Sequence, residues 1–383
     1  MAVKLVPVSP NVVDWAMRES GVTVDEVAEY CKVDSETVEK WLHGEQEPGT
    51  TAFRRLATFL GRPTSFFFLA EPPEETGVPP AFRQPPPGTS ATEEMTRDES
   101  RAIRTARRAQ SIAASLREDL EEWPEEVPSV RPGASPDTVA AGARRFLRWS
   151  ISDQLQAASK SAATRSLRSR IEEAGIIVVH QSMGATRHRG FSLWHERAPL
   201  IAVNTHFNAE ARSFTYAHEF GHLLRRSDSF CDLEATKGIE RWCEEFAASF
   251  LLPARPLAEY VQSKFDGQVV SLAEIKTTAN HFRVSQSATA IRLSNLDLGP
   301  PNLYRLIDRS VDFEKTAGGP ATGGLTAPEL RLLSFGRSYA ELLMSAQEAG
   351  ALQHHDLLSY LDVTSGQLGS LRTLLASEMN KDD

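Results

Sequence analysis

His218-Glu219-Phe220-Gly221-His222 sets two imidazoles four residues apart with a carboxylate beside the first. Helix positions four apart share a face, so both rings can reach one metal ion while Glu219 takes a proton from a water activated there. That is the chemistry of a zinc hydrolase. Helices carrying two solvated histidines show the same bare pentapeptide, and the flanks separate the two readings. Phe214, Ala217, Phe220, Leu223 and Leu224 recur at helical spacing and give this helix a buried side. Gly221 leaves the backbone bare between the histidines, so another segment can approach.

A catalytic zinc site takes three protein ligands and keeps one position open. Downstream, residues 239–253 read as a second amphipathic helix ending at a proline, with Trp242, Phe246, Ser249, Phe250 and Pro253 marking its packed side. Glu240 and Glu244 share one face of it. We assign the third ligand to Glu240 and to Glu244 the orientation of a ligating histidine. Cys243 and Cys231 are alternative soft ligands, although cysteine in a small buried slot usually serves packing.

The run Phe214-Thr215-Tyr216-Ala217-His218-Glu219-Phe220-Gly221-His222-Leu223-Leu224, followed by Glu240-Arg241-Trp242-Cys243-Glu244-Glu245-Phe246, resembles the ImmA/IrrE-type metallopeptidases. The likeness extends upstream through Glu172 to Val179, Arg189 to Ser192 and Pro199 to Asn204, and covers roughly residues 140 to 255. It implies a gluzincin-like zinc site joined to the regulation of helix-turn-helix repressors. Where that family usually has Ala and Asn, this chain has Cys243 and Glu244, which puts the surroundings of the ligands in question.

The elements that must position such a site lie in a chain of 383 residues, long enough for two or three domains. With 41% hydrophobic and 24% charged residues the composition is that of a globular protein, and the formal net charge is −9. Three cysteines at irregular spacing do not make a disulfide framework. No apolar run reaches the roughly 20 residues of a membrane span, and the N-terminus lacks a signal-peptide core; a cytoplasmic location is expected.

Residues 1–70 carry four short apolar stripes, beginning at Val12, Val24, Thr37 and Phe53, with turns between them and Ser35 as an N-cap. The pattern resembles the XRE-type helix-turn-helix domain, with Val24 to Cys31 supporting a recognition helix from Ser35 to Trp41. Ser35, Thr37 and Lys40 would face bases, and Arg54 and Arg55 phosphates. Acids nevertheless outnumber bases in this stretch, and Glu36, Glu39, Glu45 and Glu47 crowd the recognition helix. DNA binding and protein binding or homodimerisation both stand as readings.

A Pro-rich linker at 71–97 follows, where Ala81-Phe82-Arg83 could dock on the catalytic domain. The catalytic domain is expected over 98–255, opening with a long charged helix within Thr92 to Trp123. A helix from Pro136 to Trp149 and another ending near Gly175 precede buried strands at Ile176 to Val179 and Pro199 to Val203. Gly190 to Trp194 makes a strand edge to which a peptide can add. His188 and His195 could approach the metal, although histidines in loops are usually not ligands. A helix-turn-helix-like element is expected over 256–300. Beyond a loop with Gly318, Gly319, Gly323 and Gly324, helices from Pro328 to Ala349 and from His354 to Ser377 form an accessory domain within 301–383.

The expected fold is therefore α+β and mostly helical: an N-terminal helix-turn-helix bundle, a gluzincin-like metallopeptidase core with a small sheet, and a helical C-terminal region. The expected activity is that of an endopeptidase using Zn2+, with Mn2+ or Fe2+ as substitutes, whose protein substrate is a helix-turn-helix repressor or antitoxin. Two other readings compete. One is a DNA-binding regulator whose metal site is structural or sensory; the other is a toxin-antitoxin or phage-defence component.

Overall fold

The computed structural model describes residues 5–20, 22–60, 62, 64–72, 96–131, 133–184, 188–226, 233–307 and 324–379. Among these, residues 5–72 and 96–105 form one compact unit and residues 106–379 a second. Ala81-Phe82-Arg83, Cys231 and Gly318, Gly319 and Gly323 lie outside the described residues.

The first unit consists of α1 (Pro10–Ser20), α2 (Val24–Cys31), α3 (Ser35–His43), α4 (Thr50–Phe59) and a 3-10 turn, Thr64–Phe68. Val13, Val27, Val38, Trp41, Leu56 and Phe67 meet in its core. Thr23 caps α2 and exchanges hydrogen bonds with Glu26 in a capping box. Ser35, expected to be the next N-cap, is instead the first helical residue. Asp34 takes the cap, its carboxylate accepting from the Thr37 N–H at 2.7 Å, while the Ser35 hydroxyl donates to Asp25 at 2.5 Å. Both residue types cap helices well, and the buried turn of Val38 and Trp41 sets the register between them.

The second unit is built on a three-stranded sheet of order β1-β3-β2, with β1 at Ile177–Gln181, β2 at Gly190–Leu193 and β3 at Leu200–Asn204. β1 runs parallel to the central β3, and β2 pairs antiparallel with it. The parallel pair is buried but for Gln181, half-buried at the end of β1, and its sequence is near-continuously apolar apart from Gln181 and the buried polar residues His180 and Asn204. Asn204 closes the chain between β1 and β2, accepting from Met183 N–H and His206 N–H and donating to the carbonyls of Gly184 and His188.

A long helix, α5 (Arg97–Asp119), is divided between the two units rather than beginning the second one at residue 98. In its second part Gln110 donates to the carbonyls of Leu193 and Ala198 and so ties the end of β2 to the start of β3. Then come α6 (Pro136–Phe146), α7 (Ile151–Gln156), α8 (Lys160–Glu173), α9 (Ala209–Arg225) and α10 (Leu233–Leu251), followed by α11 (Ala254–Phe265), α12 (Leu272–His281) and α13 (Gln286–Asn295). Ile275, Phe282, Val284, Ala290 and Leu293 from the last of these share the core of the sheet and of α9 and α10.

The C-terminal segment breaks each of its two expected helices. It folds as α14 (Ala327–Phe335), α15 (Arg337–Glu348), α16 (His354–Leu361) and α17 (Ser365–Met379). The first break is at Gly336, whose φ is +81°. A Cβ there would lie 2.8 Å from both Glu172 Oε1 and the Val178 carbonyl, so only glycine lets the chain turn against α8 and β1. The freed N–H groups of Arg337 and Ser338 donate to Glu172. Among the described residues no helix is long and apolar enough to cross a membrane.

Candidate active site

α9 starts at Asn208, whose side chain accepts from Ala211 N–H, and nearly all of its residues from Ser213 to Leu224 are buried. A helix covered on every side can hold polar groups only if they find partners, and here the partners come from α10 and β2. α10 packs across α9 at Gly221: a Cβ at that position would sit 3.0 Å from the Phe246 ring and 3.3 Å from Cys243 Sγ. The bare backbone between the histidines therefore serves the close approach expected of it. Trp242 stacks on Phe246 and donates its indole N–H to the Ala134 carbonyl, which holds the register of α10.

That register brings Glu240 to both imidazoles. Glu240 Oε2 lies 3.3 Å from His218 Nε2, Oε1 lies 3.1 Å from His222 Nε2, and the two Nε2 atoms are 3.2 Å apart. His218 is fully buried, His222 retains 7% of its side-chain exposure and Glu240 18%, so the cluster is most open on the Glu240 side. Four donors on a tetrahedron with bonds of about 2.0–2.1 Å stand about 3.3–3.4 Å apart along each edge. The two nitrogens and the carboxylate meet that spacing, and a nitrogen-nitrogen-carboxylate set suits zinc. Among the described residues this is the group of side chains able to hold a metal ion.

Electrostatics within the cluster favour charge separation. Burial would raise the Glu240 carboxyl, but the hydrogen bonds and charges of His218 and His222 bring it down to about 2. Burial likewise opposes protonation of His222, yet Cys243, Glu240 and the charge of Glu219 outweigh it and hold the imidazole well above its ordinary value. A cation is strongly favoured at this point.

β2 supplies the next layer. A Cβ on Gly190 would lie 2.5 Å from the Thr215 methyl and 2.6 Å from the Ala202 carbonyl, so glycine is what lets the strand lie on α9. Two residues along the strand, Ser192 donates its hydroxyl to Glu219 Oε2 at 3.1 Å. Two strand residues advance about 6.7 Å and four helical residues about 6 Å, so the pairs Gly190/Thr215 and Ser192/Glu219 repeat in step. Ser192 was not singled out in the sequence; its spacing from Gly190 on one strand face is the signal that would have found it.

Residues 171–294 match the family model of the IrrE N-terminal-like domain, a metallopeptidase family of ImmA/IrrE type. No curated protein matches the chain. The IrrE-like stretch runs from the end of α8 through α13 and so contains β2, His218, Glu219, His222 and Glu240, as well as both helices of the element expected at 256–300.

Within this IrrE-like stretch the neighbours of the cluster divide into those that reach it and those that do not. Glu244, assigned to orient a ligating histidine, is exposed, and its neighbour Cys243 is the one buried against α9, at Gly221. One residue on a helix is about 100°, enough to exchange the buried side for the exposed one. His195 accepts from Arg197 N–H within its own loop, and neither it nor His188 joins the cluster. Tyr216 points away from the ligands and hydrogen-bonds His180 on β1. In the first unit, Lys40 is bound by Glu36 at 2.7 Å, Arg55 donates to the Cys31 carbonyl at 3.1 Å, Ser35 is held by Asp25, Thr37 closes the α3 cap, and Arg54 is exposed.

Proposed function

We propose that the protein is a zinc-dependent endopeptidase of gluzincin type whose substrate is a regulatory protein, a helix-turn-helix repressor or antitoxin. The observation that carries this reading is the convergence of His218, His222 and Glu240 at tetrahedral spacing, with Glu219 beside them under a strand edge. His218 and His222 would hold the ion through Nε2 and Glu240 through its carboxylate. When bound, zinc supplies Lewis acidity toward a carbonyl oxygen and lowers the pKa of water at its open position.

The chain's own groups do the rest. Glu219 accepts the proton of the attacking water and passes it to the leaving amine. Ser192, donating to Glu219 Oε2, holds that carboxylate in one rotamer beside the histidines. β2 is an edge strand, so an extended peptide can pair with its free main-chain groups and lie across the site. Incubating the zinc-loaded protein with repressors encoded beside it should release defined fragments. Equal cleavage by the Glu219→Gln variant would remove the reading.

We further read the first unit as an XRE-type helix-turn-helix that recruits the substrate by protein contact. The outward face of α3 presents Glu36 and Glu39, and Lys40 is neutralised by Glu36, which leaves little positive charge for phosphates. A salt-dependent mobility shift on operator DNA would instead favour the regulator reading.

A further inference from the structure

The seam between α8 and α9 carries positive charge that no acid among the described residues offsets. Lys160 on α8 pairs with Glu210 on α9 at 2.5 Å, and about a turn further on the Thr164 and Ser213 hydroxyls meet at 2.7 Å, so the two helices lie side by side here. Arg165 and Arg212, the chain neighbours of that second pair, flank the same contact. Arg212 is half-buried in the first turn of α9, and its Nε has neither a hydrogen-bond partner nor accessible surface. Its two Nη groups are not enclosed in that way and make no hydrogen bond or ion pair among the described residues, so they are open to a ligand. Arg165 is exposed and has no ion pair either.

Burial and the like charges of Arg168 and Arg165 hold the Arg212 guanidinium below its ordinary pKa, with only Tyr216 acting the other way and no carboxylate opposing them. The acids of the two helices are already engaged. Glu210 is bound by Lys160, Glu173 by Arg170, and Glu172 by Arg168 and the N–H groups of Arg337 and Ser338. The first turn of α9 adds the positive end of its own dipole to the repulsion. A guanidinium half out of water, beside a second one and without an acid, is costly as it stands. An anion between the two removes that cost, and each arginine offers a planar fork of donors that suits the oxygens of a phosphate.

We propose that the α8–α9 seam binds the phosphate group of a small molecule, held between Arg165 and the Nη groups of Arg212. Two adjacent positive charges match a phosphate monoester, which is nearly divalent at neutral pH, better than they match a carboxylate. The site is separate from the metal cluster: Arg212 is six residues along α9 from His218, about 9 Å by helical rise. This inference is independent of the peptidase reading.

The test titrates the full chain with methyl phosphate, and with dimethyl phosphate as a singly charged control of the same tetrahedral shape, by calorimetry at fixed ionic strength and about pH 8, where the monoester is divalent. Saturable binding of methyl phosphate at one site is expected, about tenfold or more tighter than that of dimethyl phosphate and equal in zinc-loaded and zinc-free protein. Arg165→Glu sets a counter-charge where the anion would lie; the position is exposed, so the fold is expected to survive, which circular dichroism checks. This variant should weaken methyl phosphate about tenfold or more and melt above wild type in phosphate-free buffer, and Arg212→Gln should weaken it as much. The proposal is overturned by the absence of saturable binding, by equal affinity for dimethyl phosphate, by binding that requires zinc, by binding that Arg165→Glu leaves intact, or by an Arg165→Glu protein that melts below wild type.

Discussion

The second unit buries histidine in two places, and the two do opposite things. His218 and His222 face a carboxylate, whereas His180 on β1 faces a guanidinium. Arg168 can only donate, so the Nδ1 of His180 accepts from it and the Nε2–H donates to the Tyr216 hydroxyl. Burial, together with the charges of Arg168 and Arg212, holds His180 well below its ordinary pKa and keeps it neutral. Arg168 also pairs with Glu172 and donates to the Leu333 and Val178 carbonyls, so the His180 cluster joins α9 to the turn between α14 and α15. One residue type thus joins a cluster able to hold a cation or forms a structural link according to the charge opposite it.

The largest effect should come from the ligand side. Glu219→Gln is expected to lower peptide hydrolysis by on the order of 10² to 10⁴ while leaving zinc content at wild-type level, measured by steady-state rates and metal analysis. Retained activity would remove Glu219 from the chemistry. His222→Ala should abolish stoichiometric zinc. The stabilisation by zinc, about 2.7 kcal/mol at a hundredfold excess over Kd, should then vanish from the thermal melt.

On the structural side, Tyr216→Phe takes the acceptor from the His180 Nε2–H and should cost about 1–3 kcal/mol in denaturant unfolding with zinc content unchanged. If zinc is lost instead, the two histidine clusters are one system. The pH dependence follows from the depressed pKa of His180. Between its low folded value and an unfolded value of about 6.5, the unfolded chain holds more protons, so stability rises with pH in that window. The contribution is complete above about pH 6.5 and is lost below it by at most about 1.4 kcal/mol per pH unit. Comparing metal-free wild type with His180→Gln at pH 7 and pH 5 isolates it: the gap between them should narrow at the lower pH, and parallel profiles would contradict a neutral His180. The smallest effect is expected from Glu244→Ala, within about 0.5 kcal/mol of wild type, because the residue is exposed.

Legibility from sequence followed the range of the interactions. The helix bearing His218 and His222 was readable from its own flanks, as were both buried strands to within two residues, because burial writes period and composition into a contiguous stretch. Glu240 was reachable because a three-ligand site demands one more acid and α10 offered two on one face. Choosing which neighbour meets the imidazoles was harder. Cys243 and Glu244 differ by about 100° around α10, and the packing of Phe246 and Trp242 decides which of them turns inward. The unbroken helices expected after residue 327 failed at Gly336 for a like reason: the break is dictated by Glu172 and Val178, more than 150 residues away.

By itself the sequence determined the helix face shared by His218 and His222, the place of Glu219 beside them, the acidic helix that carries Glu240 and the acid-rich face of α3, since each depends on periodicity within a few turns of chain. Only the tertiary structure decided that Gly190 lays β2 on α9, that Ser192 thereby holds Glu219, and that His180 belongs to Arg168 and Tyr216 rather than to a metal. These contacts join segments brought together by packing, and no local period records which side chains will meet there.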